Sequence, residues 1–335
     1  MRRAARPGGG AGSWTERIVD EGAVPAAFVP AGSGGRTDVD EVAGAELVEE
    51  ERVTVHAVPP GSAPAAVTFL DGIQQWSVVG YDGVVPIVRG YVAAAARTRG
   101  ADRRLRTGRE AARELAVAPL GLLRAGVRRA LEESGAAVLD LDAAAAGQPG
   151  RMLVAAQQAV NAERVRIETE VAEAVAARLA EEHWLVMDGL LSESAKLAGH
   201  PRALGVIKSH SAQYFEGADV LTALTCPAGA RTSVFRPRGR ARHEVYSWYL
   251  RLWPWEGNDL LFGLLRIEAR AHADTVAAAT QLSGWLLAER APLATPDARF
   301  DRLLYPIHDV ETYLRSRAPR DVLPSAGSRL PRTGT

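Results

Sequence analysis

The first strongly patterned stretch of the chain is Ala66–Asp71, a nearly unbroken apolar run of the kind a buried strand carries. Gln74–Gly80 and Val84–Tyr91 follow as β-rich runs, with the turn signal Tyr81-Asp82-Gly83 between them. This pattern predicts a three-strand meander whose first strand ends in an aspartate. Residues 101–135 space Leu, Val and Ala at helical intervals with arginines on the outer face, which predicts helix. After a break at Gln148–Gly150, Arg151–Glu182 reads as one long helix. Its apolar stripe runs through Val160, Ile167, Val171, Ala174 and Val175.

Trp184–Asp188 is a second short apolar strand ending in Asp-Gly, and Ala203–Lys208 is a third. Two β-rich segments, Glu244–Leu252 and Leu260–Glu268, precede helices at about 273–290 and 307–317. Strands and helices alternate within one core, so the fold class is α/β with a mixed sheet flanked by helices. Residues 1–45 read as an N-terminal arm with one short helix near Trp14–Asp20. Residues 46–318 form the main domain with a helical insertion at about 101–150, and 319–335 read as a disordered tail.

Composition narrows the function. Forty basic and forty acidic residues cancel, so no global cationic field advertises nucleic acid or membrane. Lys196 and Lys208 are the only lysines; every other basic residue is arginine. The single Cys226 excludes an internal disulfide framework and any Cys-rich metal site, which fits a reducing compartment. No run of about 18 apolar residues is present. Glycines follow Arg2, Arg3 and Arg6 where a signal peptide needs its apolar segment, so a cytoplasmic location is expected. There is no GxxxxGK[ST], HExxH or GxSxG motif.

The candidate chemistry lies in Asp71-Gly72 and Asp188-Gly189, each at the end of an apolar strand. Strand ends of α/β sheets are where ligands bind, although Asp-Gly is also a common turn dipeptide. Neighbouring strand ends would bring the two carboxylates together, and a divalent cation resolves their repulsion. Such sites suit phosphodiester hydrolysis. The preceding helix offers Glu163, Glu168 and Glu170 as a third acid. Projection places Glu163 and Glu170 on one flank of the apolar stripe and Glu168 on the other, and does not choose between them; a solvated helix border reads equally well. Arg231, Arg236, Arg238, Arg240 and Arg242 precede Trp248, Trp253 and Trp255, a combination that suits single-stranded nucleic acid. A mobile arginine-rich loop beside core tryptophans has the same pattern.

Phe69-Leu70-Asp71-Gly72, the acidic helix, Leu185-Val186-Met187-Asp188-Gly189 and Leu204-Gly205-Val206-Ile207-Lys208-Ser209 occur in that order. Leu265-Arg266-Ile267-Glu268 and Tyr305-Pro306-Ile307-His308 follow. By order and spacing the chain resembles the NurA family of DNA-repair nucleases over roughly residues 66–315. The resemblance implies an RNase H-like fold and metal-dependent DNA cleavage in end resection or a related defence system. It implies Mn²⁺ or Mg²⁺ held by Asp71, Asp188, Glu168 and His308, with Lys208 at the phosphate. It further implies a homodimer working with a HerA-type hexameric ATPase. Ile73 and Leu190 depart from the family's usual small polar residue and proline after the two Asp-Gly pairs. They support an alternative, a non-catalytic DNA-binding or adaptor subunit on the same scaffold. Without the family, His308 is a helix-start histidine, Lys208 a surface lysine, and Arg266 and Glu268 a solvated strand face. A glycosidase using Asp71 and Asp188 as acid and base lacks the sugar-stacking aromatics its cleft needs.

Overall fold

The computed structural model describes residues 13–22, 24–25, 41–59, 61–62, 64, 66–100, 102–141, 148–210, 212–239, 241–256, 260–291 and 300–319. The expected tail beyond Pro319 and most of the arm, including Phe28 and Val29, lie outside the described residues. Among these residues no helix is long and apolar enough to cross a membrane.

Three long antiparallel strands form the centre: β1 (Val67–Asp82), β2 (Val85–Arg99) and β3 (Leu105–Ala118). Gly83, at φ +61°, and the exposed Val84 close the β1–β2 turn, a position where glycine adopts positive φ without strain. The two runs expected on either side of Asp71-Gly72 are one strand of 16 residues. Asp71 therefore does not end β1.

The expected helix over 101–135 is corrected to a strand and a short helix. Leu105–Ala118 pairs with β2 along nearly its whole length, and only α2 (Ala125–Glu132) is helical. The outer half of β3 is largely exposed on both faces, so it lacks the apolar-polar alternation that marks a strand, and pairing decides its state. The strand β4 (Ala137–Asp140) then adds in parallel to β3, so the described part of the expected helical insertion contributes two strands to the sheet and one short helix.

The long helix α3 (Pro149–Ala176), with proline in its first turn, delivers the chain to β5 (Trp184–Asp188). β6 (Ala203–Ile207) follows after the short helix α4 (Ala195–Ala198). Helix α5 (Gly217–Leu224) leads to β7 (Val245–Arg251) and β8 (Leu264–Arg270), and α6 (Ala273–Ala288) and α7 (Tyr305–Arg317) finish the chain. The order across the sheet is β7-β8-β6-β5-β1-β2-β3-β4, with β6, β5 and β1 mutually parallel and the neighbouring pairs β1–β2, β2–β3, β8–β6 and β7–β8 antiparallel. This is a mixed α/β sheet flanked by helices.

Alternation along the strands builds two cores, because successive side chains point to opposite faces. Phe69, Ile73, Val186 and Val206 pack with Trp285 of α6 and Ile307 of α7. Leu70, Val92, Leu185 and Met187 pack with Val160, Ile167 and Val171 of α3. The helix α1 (Trp14–Asp20) is capped by Ser13, whose hydroxyl accepts from the Thr15 amide. Its Trp14 and Ile18 are buried against Ile87, Val127 and Leu131. This part of the arm belongs to the folded core.

Candidate active site

Strand β5 pairs with β1 from Val67↔Trp184 to Leu70↔Met187, and there the ladder stops. One further step of the same register is Asp71 opposite Asp188. The strands part at this point, β1 continuing along β2 and the chain after β5 turning toward β6. A crevice therefore opens where the two acids emerge, as at strand ends where neighbouring connections diverge. Residue parity puts Asp71, Asp188 and Lys208 on one face of the sheet, the face of Phe69, Val186 and Val206.

Glu168 arrives from the opposite face. Gly72 points toward α3, and a Cβ on Gly72 would stand 2.1 Å from Glu168 Oε1, so only glycine lets this carboxylate lie against β1. The cavity at this junction has a volume of about 780 Å³ and is lined by Asp71, Glu168, Asp188 and Lys208 together with Arg164 and Glu311. The tertiary structure thus chooses the flank of α3 that projection left open. Glu163 is paired with Arg113 and Arg166, and Glu170 with Arg166, and neither lines the cavity.

The electrostatics of the cavity are uneven. Lys208 Nζ donates to Asp188 Oδ2 at 2.8 Å, and Arg164 pairs with Glu168 one helical turn away. Glu193, Glu268 and Glu311, the other acids in the lining, pair with Arg242, Arg266 and Arg315. Asp71 alone forms no ion pair with a described residue and accepts only the neighbouring Gly72 amide, at 2.7 Å. Burial first, then the charges of Asp188, Glu168 and Glu311, hold the Asp71 carboxyl well above the usual carboxylate range, against the pull of Lys208. Burial likewise pushes Glu168 up to about 7, opposed by Arg164.

Four of the five expected site residues therefore meet. His308 does not line the cavity; Glu311, one turn further along α7, does. Positions 308 and 311 are neighbours on α7, and of the two only Glu311 is among the residues lining this cavity. Sequence reading missed Glu311, and its i+3 spacing from His308 was the available signal. Arg266 and Glu268 are buried, not solvated. Arg266 Nη1 donates to Glu268 Oε1 at 2.8 Å and its guanidinium lies 5.0 Å from the Tyr214 ring, while Glu268 Oε2 accepts the Ser192 amide at 3.1 Å.

The described arginines of the run are each paired with an acid. Arg231 is buried on Glu49, Arg236 and Arg238 share Glu46, and Arg242 pairs with Glu193. Arg240 lies outside the described residues. Trp248 is a core residue whose indole donates to Ser283 Oγ at 2.9 Å. Trp253 and Trp255 are half-buried, and Arg290 lies 4.1 Å from the Trp253 ring.

Carboxylate oxygens are the donors that Mg²⁺ and Mn²⁺ take, and a dication would relieve the repulsion that raises Asp71 and Glu168. The donor set of Asp71, Glu168 and Asp188 fits such an ion in kind. Among the described residues no three His, Cys, Asp or Glu side chains stand grouped as a ready metal site, and two of these three acids are turned toward Lys208 and Arg164. No family model matches the chain, and a search of curated proteins finds no match.

Proposed function

We propose that the protein is a divalent-metal-dependent DNA nuclease with an RNase H-like core, in which Asp71, Glu168 and Asp188 hold Mn²⁺ or Mg²⁺. The observation that carries this reading is Asp71, a buried carboxylate without an ion-pair partner among the described residues, opening on the cavity that Glu168 and Asp188 share. Evolvable scaffolds satisfy buried charges, and one left with like-charged neighbours marks a site that a ligand completes. When bound, a divalent cation activates water and stabilises the leaving oxygen of a phosphodiester. The chain's own residues supply position and charge. Lys208 and Arg164 each hold an acid and both line the cavity, so a phosphate bound there would exchange with carboxylate at these cations. Asp188 and Glu168, freed from those ion pairs, would hold the cation together with Asp71. Gly72, having no Cβ, lets the Glu168 carboxylate lie against β1 beside Asp71. The homodimer and the HerA-type ATPase enter the proposal on the strength of the motif resemblance.

A second reading, the non-catalytic DNA-binding or adaptor subunit, draws on the ion pairs that already satisfy Glu168 and Asp188. Degradation of end-labelled DNA in Mn²⁺, Mg²⁺ or EDTA, run beside Asp71→Ala, tests the first reading. Cleavage that needs the cation and vanishes in the variant is expected. DNA left intact by the wild type in both cations would sink it, and calorimetric titration with Mn²⁺ showing no binding would favour the adaptor.

A further inference from the structure

The β2–β3 hairpin ends in a cationic tip that nothing in the cavity uses. Residues 97–109 carry six arginines, at 97, 99, 103, 104, 106 and 109, against the single acid Asp102, in a chain whose net charge is zero. The base of the ribbon is pinned to the helical layer. Arg97 pairs with Asp309 of α7 and Arg99 with Glu289, just past α6. Arg106 is held by Asp102. Arg103, Arg104 and Arg109 are exposed and face no acid among the described residues. The turn itself is organised: Arg103 sits at φ +60° with its amide donating to Gly100 O at 2.9 Å, and Asp102 accepts the Arg104 amide at 3.2 Å.

We propose that this tip is a docking arm for duplex nucleic acid, separate from the acid-lined cavity. Three features select that partner. The unpaired side chains are all guanidinium groups, which bind phosphate oxygens in bidentate fashion. No large apolar side chain is exposed between residues 97 and 109, so the tip lacks the anchor that a membrane surface or a protein interface core requires. A two-stranded ribbon also fits the major groove of a duplex. Charges along an unpaired strand edge guard against aggregation, which would account for Arg109 on β3. Arg103 and Arg104 lie in the turn, where there is no edge to guard. The tip is displaced from the acids: Asp71 pairs with Ala95, and Arg99 lies about 13 Å further along β2. Duplex held at the tip would continue toward the cavity along the sheet. This inference rests on the DNA part of the proposed function and not on cleavage.

The test is binding of the full-length protein to a fluorescein-labelled duplex, followed by anisotropy across a KCl series with EDTA present, so that cleavage plays no part. The triple variant Arg103→Ala/Arg104→Ala/Arg109→Ala is expected to weaken binding by at least about tenfold at low salt. Its plot of log K against log salt should be shallower by about 2–3, close to one unit per lost phosphate contact. The matching triple Lys variant should keep most of the slope, because point charges still meet phosphates. Unchanged affinity and slope in the alanine variant would overturn the proposal. So would equal loss in the lysine variant, or polyglutamate competing as well as DNA, which would assign the tip to an acidic polypeptide. Metal-dependent cleavage by a variant that no longer binds through the tip would leave the nuclease reading standing while the tip's role is judged on the salt slope alone.

Discussion

Strand β1 carries two Asp-Gly pairs, and the protein treats them in opposite ways. Asp82-Gly83 closes a hairpin, and both Asp82 oxygens are taken. Oδ2 accepts the Arg124 amide at 2.7 Å and Oδ1 accepts Arg124 Nε at 2.6 Å, which caps the start of α2 with a charged group. Asp71-Gly72 lies mid-strand with a buried carboxyl, four acids in its neighbourhood counting itself, and no ion pair with a described residue. The dipeptide is the same and both aspartates are buried. What differs is satisfaction: a carboxylate with partners is scaffold, and one held uncomfortable in a cavity is a place for a ligand.

The sharpest way to break this contrast is to truncate each aspartate. Asp71→Ala is expected to lower metal-dependent cleavage by on the order of 10²–10³ or more, with thermal stability unchanged or raised because a repelled charge is gone. Asp82→Ala should keep activity and lose about 1–3 kcal/mol, the cost of leaving the Arg124 amide and guanidinium without their acceptor. DNA degradation and chemical denaturation of both variants read this out. Equal loss of activity in the two would end the distinction.

Next in size is the pH response. Glu168 is raised in the folded state to about 7, so the folded protein binds more protons than the unfolded chain between the ordinary glutamate range and that value. Stability from this group is full at low pH and is lost as pH rises toward and through about 7, by about 3 kcal/mol in the metal-free protein. Asp71, also raised, adds to the same downward trend. Urea denaturation across pH 4–8 should show this decline, Glu168→Gln should flatten it, and Mn²⁺ should offset it at the alkaline end. A stability that rises across that window would contradict the environment described for both acids.

A smaller comparison sits on α3. Glu168→Gln should impair cleavage far more than Glu163→Gln or Glu170→Gln, since only Glu168 lines the cavity. Because Glu163 is buried on Arg113 and Arg166, its variant should show up in stability instead. The smallest effect is expected on α7. His308→Ala should leave cleavage within about twofold, as expected of a residue outside the cavity lining, whereas Glu311→Gln, which removes a charge facing Asp71, should shift the pH dependence of the rate. Strong inactivation by His308→Ala would restore the histidine to the site.

Much of the architecture was legible in the residues. Trp184–Asp188 is bounded as its apolar run predicts, α1 and α6 lie where expected, and α3 is the expected long helix although it ends at Ala176 and not at Glu182. The contrary case is Leu105–Ala118, where spacing read as helix yields to a neighbouring strand. Its outer half is mostly exposed, with only Leu105 and Ala111 packed on the apolar clusters, so little alternation was written into it.

For the site, the sequence by itself determined which acids were available and that two of them stand beside glycines. Only the tertiary structure decided that β1 runs through Asp71, that its ladder with β5 stops one register step short of the two aspartates, and that Glu168 reaches them over Gly72. It also decided that Glu311 lines the cavity, and that the described arginines of 231–242 pair with Glu46, Glu49 and Glu193. Composition and spacing fix what a segment can bury. Which charges end up paired depends on partners tens to hundreds of residues away, and that information exists only once the chain has closed on itself.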